Sequence, residues 1–286
     1  MIRLTPIGFD ARKVALPGHG ALPYDSISNH LDCLHGDGHW VDLWYLPMQV
    51  DEFSLKASEK LRPDEVARAN RMLVANARER FILDHAWRNQ VMEVYAEGST
   101  AYTLAASRHG KQRLIGAAAP GVSFSRTGSH AVTAIADLAD IGVDIEDCRA
   151  GRRWLQLAAT IDTHGWPAGC ESTAERARWV CRQFVVKEAL LKGVGIGLRF
   201  PLRAIGLHYS AKPLELYQKM TPRPHCRPGR WHVISEMRRC YSVALAIKYP
   251  RGRGALTVTE FYCRGGDPSD ALEIVSRRLS VDGAAE

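Results

Sequence analysis

A chain of 286 residues with 46% hydrophobic and 24% charged side chains can bury one large domain or two small lobes, and it lies far from collagen-like or disordered compositions. No apolar run approaches the roughly 20 residues of a membrane span and the N-terminus lacks the order of a signal peptide, so a cytoplasmic protein without membrane attachment is expected. The net charge of +7 attracts anions, but Lys and Arg are dispersed and never interleaved with aromatics in one patch, which argues against a nucleic-acid partner. Seven scattered cysteines (Cys33, Cys148, Cys170, Cys181, Cys226, Cys240, Cys263), none in CxxC spacing, read as reduced thiols rather than a zinc site.

Residues 1–39 mix Gly, Pro, His and Asp without periodicity and read as a loose N-terminal extension. The spacing of His30, His35 and His39 fits no helix face, so they read as solvated residues rather than ligands. From Trp40 the pattern predicts a strand that Pro47 ends. The Ala-, Arg-, Glu- and Leu-rich stretch from Leu61 to Tyr95 predicts one or two helices, entered through Pro63-Asp64-Glu65. Connecting structure is expected from Gly98 to Gly110. Val132–Ala136 and Ala139–Ile145 read as two strands around Asp137.

Helices are predicted from Arg152 to Ile161 and, most strongly, from Thr173 to Lys192, the latter stopped by Gly193, Gly195 and Gly197. That glycine run follows a helix, whereas a dinucleotide fingerprint precedes one. Trp179 and Phe184 read as core residues of the helix. Trp231–Glu236 and Tyr241–Tyr249 predict a hairpin and Leu256–Tyr262 a further strand, with a peripheral tail. The pattern gives an α+β class with two similar lobes: extension 1–39, N-terminal lobe 40–138, C-terminal lobe 139–262 and tail 263–286.

Two short segments carry chemistry. Asp144 and Glu146 lie two apart on a predicted strand and so share a face. Paired hard oxygens of this kind suit magnesium, although an acidic pair is often plain surface. Glu188 and Lys192 lie four apart on the strongest helix, where alone they would be a surface ion pair worth about 0.3–0.5 kcal/mol.

Read together, Ile141-Gly142-Val143-Asp144-Ile145-Glu146 and Phe184-Val185-Val186-Lys187-Glu188-Ala189-Leu190-Leu191-Lys192 resemble the paired signatures of the 4′-phosphopantetheinyl transferases, in order and separation. Weaker upstream matches resemble the two-lobed, pseudo-dimeric type that activates peptide and polyketide synthases. The resemblance implies that Asp144, Glu146 and Glu188 hold Mg2+ on the pyrophosphate of coenzyme A, with Lys187 and Lys192 beside it. It also implies that Glu188 is the base for a serine of an acyl or peptidyl carrier protein, and that a monomer suffices.

Gly110-Lys111-Gln112 resembles the family's G-K-P segment, with Lys111 on a cofactor phosphate. Ser123-Phe124-Ser125-Arg126-Thr127 resembles F-x-x-S-H-[ST], which places Ser125, Arg126 and Thr127 at the cofactor. Arg126 stands where the family has histidine; it keeps a phosphate clamp and loses a titrating one, with His130 as the rival for the role. Arg68 and Arg88 match helical arginines that reach the cofactor's 3′-phosphate. The departure at Arg126 leaves a noncatalytic, carrier-binding relative as the alternative.

Overall fold

The computed structural model describes residues 2–3, 11–14, 31, 35, 38–48, 56–96, 103–116, 119–161, 166, 170–208, 215–217, 230–249, 254–263 and 271–281. His30, Cys33 and Cys226 lie outside them, and the five described cysteines are free thiols.

The strands are β1 (Ile2–Arg3), β2 (Ala11–Val14), β3 (His39–Pro47), β4 (Thr103–Ala106), β5 (Gln112–Ile115), β6 (Gly121–Arg126), β7 (His130–Ala136), β8 (Ile141–Asp147), β9 (Gly206–His208), β10 (Glu215–Tyr217), β11 (Arg230–Met237), β12 (Tyr241–Tyr249), β13 (Gly254–Cys263) and β14 (Ala271–Val281). The longer helices are α1 (Pro63–Asn70), α2 (Ala75–Val94), α3 (Gly151–Ile161) and α4 (Thr173–Val194). A six-stranded sheet runs β2-β14-β13-β3-β7-β6 and a three-stranded sheet β11-β12-β8, with β1-β10-β9 and β4-β5 as smaller sheets. The class is mixed α+β.

Alternation on the strands sets the layering. On β3 and β7, Trp44, Leu46, Ala131 and Ile135 face α2, where Leu83, Trp87 and Val91 complete one core. The opposite residues Val41, Leu43, Val132 and Ala134 pack on Val143, Ile145, Val243 and Leu245 of the three-stranded sheet. The other face of that sheet buries Trp231, Val233 and Ala244 against Trp154, Val180 and Leu191 of α3 and α4. Burying one large apolar side chain contributes about 1.5–3 kcal/mol, so three such cores hold the layers in place.

The predicted strands at 132–136 and 139–145 prove to be neighbours in sequence that enter different sheets. Strand β13, within the segment 139–262, pairs in parallel with β3, and β14, in the segment 263–286, pairs with β13 and β2. Of the extension, Leu31 is buried and the half-buried His35 shares a hydrogen bond with Asp42, 2.8 Å from Nε2 to Oδ2. The solvated reading of His35 is thereby corrected: its ring stacks on Trp40 with centroids 3.9 Å apart. His39 pairs with Asp137 instead, 2.6 Å from Nδ1 to Oδ2. No helix of the described residues is long and apolar enough to cross a membrane.

Candidate active site

The site starts from an unusually close approach of helix to strand. A Cβ on Gly142 of β8 would lie 2.0 Å from the Ala189 carbonyl oxygen and 2.3 Å from the Gly193 nitrogen of α4. Only glycine permits this contact. Ser172 caps the start of α4 by accepting from the Glu175 amide, and Gly195 ends it with φ 83°, a left-handed conformation that glycine adopts without steric cost. Thus α4 lies flat on β8, and Glu188 and Lys192 come down beside Asp144 and Glu146.

Asp144 is 2% exposed. Its Oδ1 accepts from Lys192 Nζ and from Ser125 Oγ, each at 2.7 Å, while Oδ2 is buried with no hydrogen-bond donor. A desolvated carboxylate oxygen left in this way is costly and asks for a cation. Burial, the Asp144 charge and Glu188 push Glu146 up to about 7 against the opposing pull of Arg153 and Lys192. Burial and Asp144 likewise hold Glu188 at about 7, with Lys192 pulling it down. The three carboxylates therefore feel one another, the electrostatics that a divalent ion would relieve.

They interact electrostatically but do not form a ready coordination shell. Among the described residues no three His, Cys, Asp or Glu side chains stand close enough to hold a metal ion. The donor set nonetheless fits magnesium in its chemistry: hard oxygens, one of them orphaned.

The opposite wall is basic. Edge strand β6 meets β8 through side chains: Ser123, Ser125 and Thr127 hydroxyls accept from the amides of Val143, Ile145 and Asp147 at 2.9, 3.3 and 3.2 Å. The intervening residues Phe124 and Arg126 face the α2 side, with Phe124 packed against that core. An open cleft of ≈180 Å³ is lined by Arg88, His109, Lys111, Phe124 and Lys192 among others. Arg88 stacks over Phe124, 4.8 Å from its centroid. It holds Asp84 at 3.0 Å from Nε and 2.7 Å from Nη2, and Arg126 Nε reaches the same carboxylate at 3.1 Å. Burial lowers Arg88 from its usual value, which Asp84 opposes. Lys111 donates to the Gly193 carbonyl, and burial brings it down to about 8 against the pull of Asp140, 3.5 Å away.

A buried acidic cluster has thus been laid by a strand and a helix against a cleft rich in cations. Residues 140–244 match the family model of the 4′-phosphopantetheinyl transferase superfamily. No curated protein matches the chain. The superfamily segment supports phosphopantetheine transfer in general, and it contains Asp144, Glu146, Glu188 and Lys192 while Arg88, Lys111 and Arg126 precede it.

Other residues named from the transferase resemblance make structural contacts of their own. Lys187 is 1% exposed and its Nζ donates to the Ile161 carbonyl at 2.5 Å, so it caps the end of α3. One position along a helix turns a side chain by about 100°, which separates Lys187 from Glu188. Ser125 and Thr127 spend their hydroxyls on the β6–β8 seam, Ser125 also fixing Asp144. Arg68 is exposed on α1 and stacks over Phe81 at 5.1 Å. His130 lies on the sheet face opposite Arg126, 4.6 Å from the Tyr241 ring, and burial lowers its pKa. Asp84 was missed as a functional residue; its sequence signal is the Asp84–Arg88 spacing of four on a helix.

Proposed function

We propose that the chain transfers the 4′-phosphopantetheine arm of coenzyme A to a serine of an acyl or peptidyl carrier protein, with Mg2+, releasing 3′,5′-ADP. The observation that carries this reading is the orphaned, buried Oδ2 of Asp144 beside Glu146, Glu188 and Lys192, the last of which both binds Asp144 and lines a cleft with Arg88 and Lys111.

Asp144, Glu146 and Glu188 would hold the ion, which would supply charge neutralisation for the pyrophosphate. Lys192 fixes Asp144 and neutralises phosphate charge, and Arg88, Arg126 and Lys111 bind the cofactor's phosphates. The serine oxygen forms a bond to the phosphorus nearer the pantetheine while the bond from that phosphorus to the bridging oxygen breaks. Glu188 takes the serine proton, and 3′,5′-ADP leaves with the bridging oxygen. Phosphoryl transfer asks the protein mainly for alignment and charge, which these residues provide. The net charge of +7 favours an acidic carrier.

The two-lobed, pseudo-dimeric arrangement with lobes 40–138 and 139–262 belongs to this reading, as do a cytoplasmic setting and a monomer whose lobes share one cleft. Incubation of the chain with apo carriers, coenzyme A and Mg2+ tests it. The expected result is a carrier heavier by one phosphopantetheine arm. No gain on fatty-acid, polyketide or peptide carriers would instead favour a noncatalytic carrier-binding relative, the reading that Arg126 in a histidine position raises.

A further inference from the structure

We propose that Asp84 is a positioning residue: from inside helix α2 it sets Arg88 and Arg126 as one two-guanidinium clamp for a phosphate of the cofactor. The inference rests on the transferase reading and adds to it a residue outside both signature motifs.

Asp84 is 2% exposed, yet its carboxylate has no role in the α2 core other than to receive guanidinium groups. Arg88 engages both of its oxygens through Nε and Nη2, so its plane is fixed, and Phe124 beneath it fixes the tilt. Arg126 comes from a different element, β6, and meets Asp84 through Nε, 3.1 Å from Oδ2. Its terminal amino groups remain for a ligand on a side chain that is 37% exposed. One carboxylate between two permanent cations leaves a net positive charge beside a cleft that Arg88 itself lines.

The placement along the chain ties the clamp to the chemistry. Arg126 follows Ser125, whose hydroxyl donates to Asp144, and Phe124 supplies its carbonyl to Lys192 Nζ at 3.3 Å. The clamp therefore stands one strand residue from the acidic cluster. Two forks held by a shared buried anion lose little freedom when they close on phosphoryl oxygens, and that preorganisation is the contribution of Asp84. A guanidinium in the histidine position needs such an anchor, because its side chain is longer and has more rotamers to restrict.

The test is calorimetric binding of coenzyme A and of dephospho-coenzyme A, in Mg2+ buffer, to the wild type, Asp84→Asn, Arg126→Ala and the double variant. Asp84→Asn is expected to weaken coenzyme A roughly tenfold or more, the scale of lost orienting partners. In the Arg126→Ala background the same change is expected to cost clearly less, because the two residues act as a unit. Equal loss with both ligands supports the clamp and assigns it to the pyrophosphate; loss confined to coenzyme A supports it and assigns it to the 3′-phosphate. Wild-type affinity in folded Asp84→Asn, or full additivity in the double variant, overturns it.

Removing a buried counter-ion from Arg88 risks the fold, so Arg126→Lys gives a second route. Lysine keeps the charge but not the fork, and is expected to bind coenzyme A about as poorly as Arg126→Ala. Wild-type affinity in Arg126→Lys overturns the clamp. Absence of coenzyme A binding by the wild type overturns the transferase reading first and the clamp with it.

Discussion

The two walls of the cleft are built by different means. The acidic side comes from β8 and α4, is pressed together by Gly142 and has Asp144 buried with Glu146 and Glu188 partly buried. The basic wall comes from α2, β6 and the Lys111 segment, is more exposed and is organised by the Asp84 carboxylate and the Phe124 ring. A partly desolvated group of carboxylates is costly unless it meets a cation, and a basic cleft favours anionic ligands. In the proposed function the first performs the chemistry and the second orients the cofactor.

Variants separate the two walls by the parameter they move. On the acidic side, Asp144→Ala and Glu188→Gln are expected to reduce transfer by roughly 10²–10⁴-fold or more with the fold retained, as for loss of a positioned base or metal ligand. Carrier mass gain and circular dichroism check both halves of that statement. Gly142→Ala drives a methyl into backbone atoms of α4, and urea unfolding is expected to show a loss of about 1–3 kcal/mol together with weaker transfer. An alanine variant of wild-type stability would mean that helix and strand can separate without cost.

On the basic side, α1 is fastened to α2 by Glu65, whose carboxylate accepts from the Arg62 amide and guanidinium, His85 and Asn89. Burial raises this carboxyl, but those hydrogen bonds outweigh it and bring it down to about 2 from 4.5. A group lowered on folding contributes stability above its unfolded value and loses it as pH falls through its folded value. Glu65→Gln is therefore expected to cost on the order of 2–3 kcal/mol at pH 6, and the gap to wild type to narrow between pH 4.5 and 2 in urea titrations. A gap independent of pH would show that the hydrogen bonds do not favour the ionised form. The smallest effect distinguishes the two candidates for the histidine role: Arg126→Ala is expected to raise the Michaelis constant for coenzyme A about tenfold with little change in turnover. His130→Ala, on the other sheet face, is expected to leave both unchanged, and a reversed pattern would move the role to His130.

The same contrast explains what the sequence made legible. Both motifs of the acidic wall could be read because strand and helix periodicities place Asp144 with Glu146 and Glu188 with Lys192 on single faces. The helices α1 to α4 and the β11–β12 hairpin were equally plain in the apolar pattern. Strand β6 was not, because Ser123 and Ser125 are buried hydroxyls that satisfy β8 amides, so a buried face reads as polar loop. Lys187 sits beside Glu188 in the motif, yet helical geometry turns it into the core. Asp84 carries no signal of its own beyond its spacing from Arg88, because sequence does not show that β6 delivers a second arginine to it. Parallel pairing of β13 with β3 joins residues more than 200 apart, a distance over which local pattern carries no signal.

In the proposed function both sides act on one ligand, with a metal held by the first and phosphates by the second. Calorimetric titration of coenzyme A with and without Mg2+, in the wild type and in Asp144→Asn, measures that coupling directly. The expected result is tighter coenzyme A binding with Mg2+ in the wild type and no such gain in Asp144→Asn. Identical affinity with and without Mg2+ in the wild type would contradict the account.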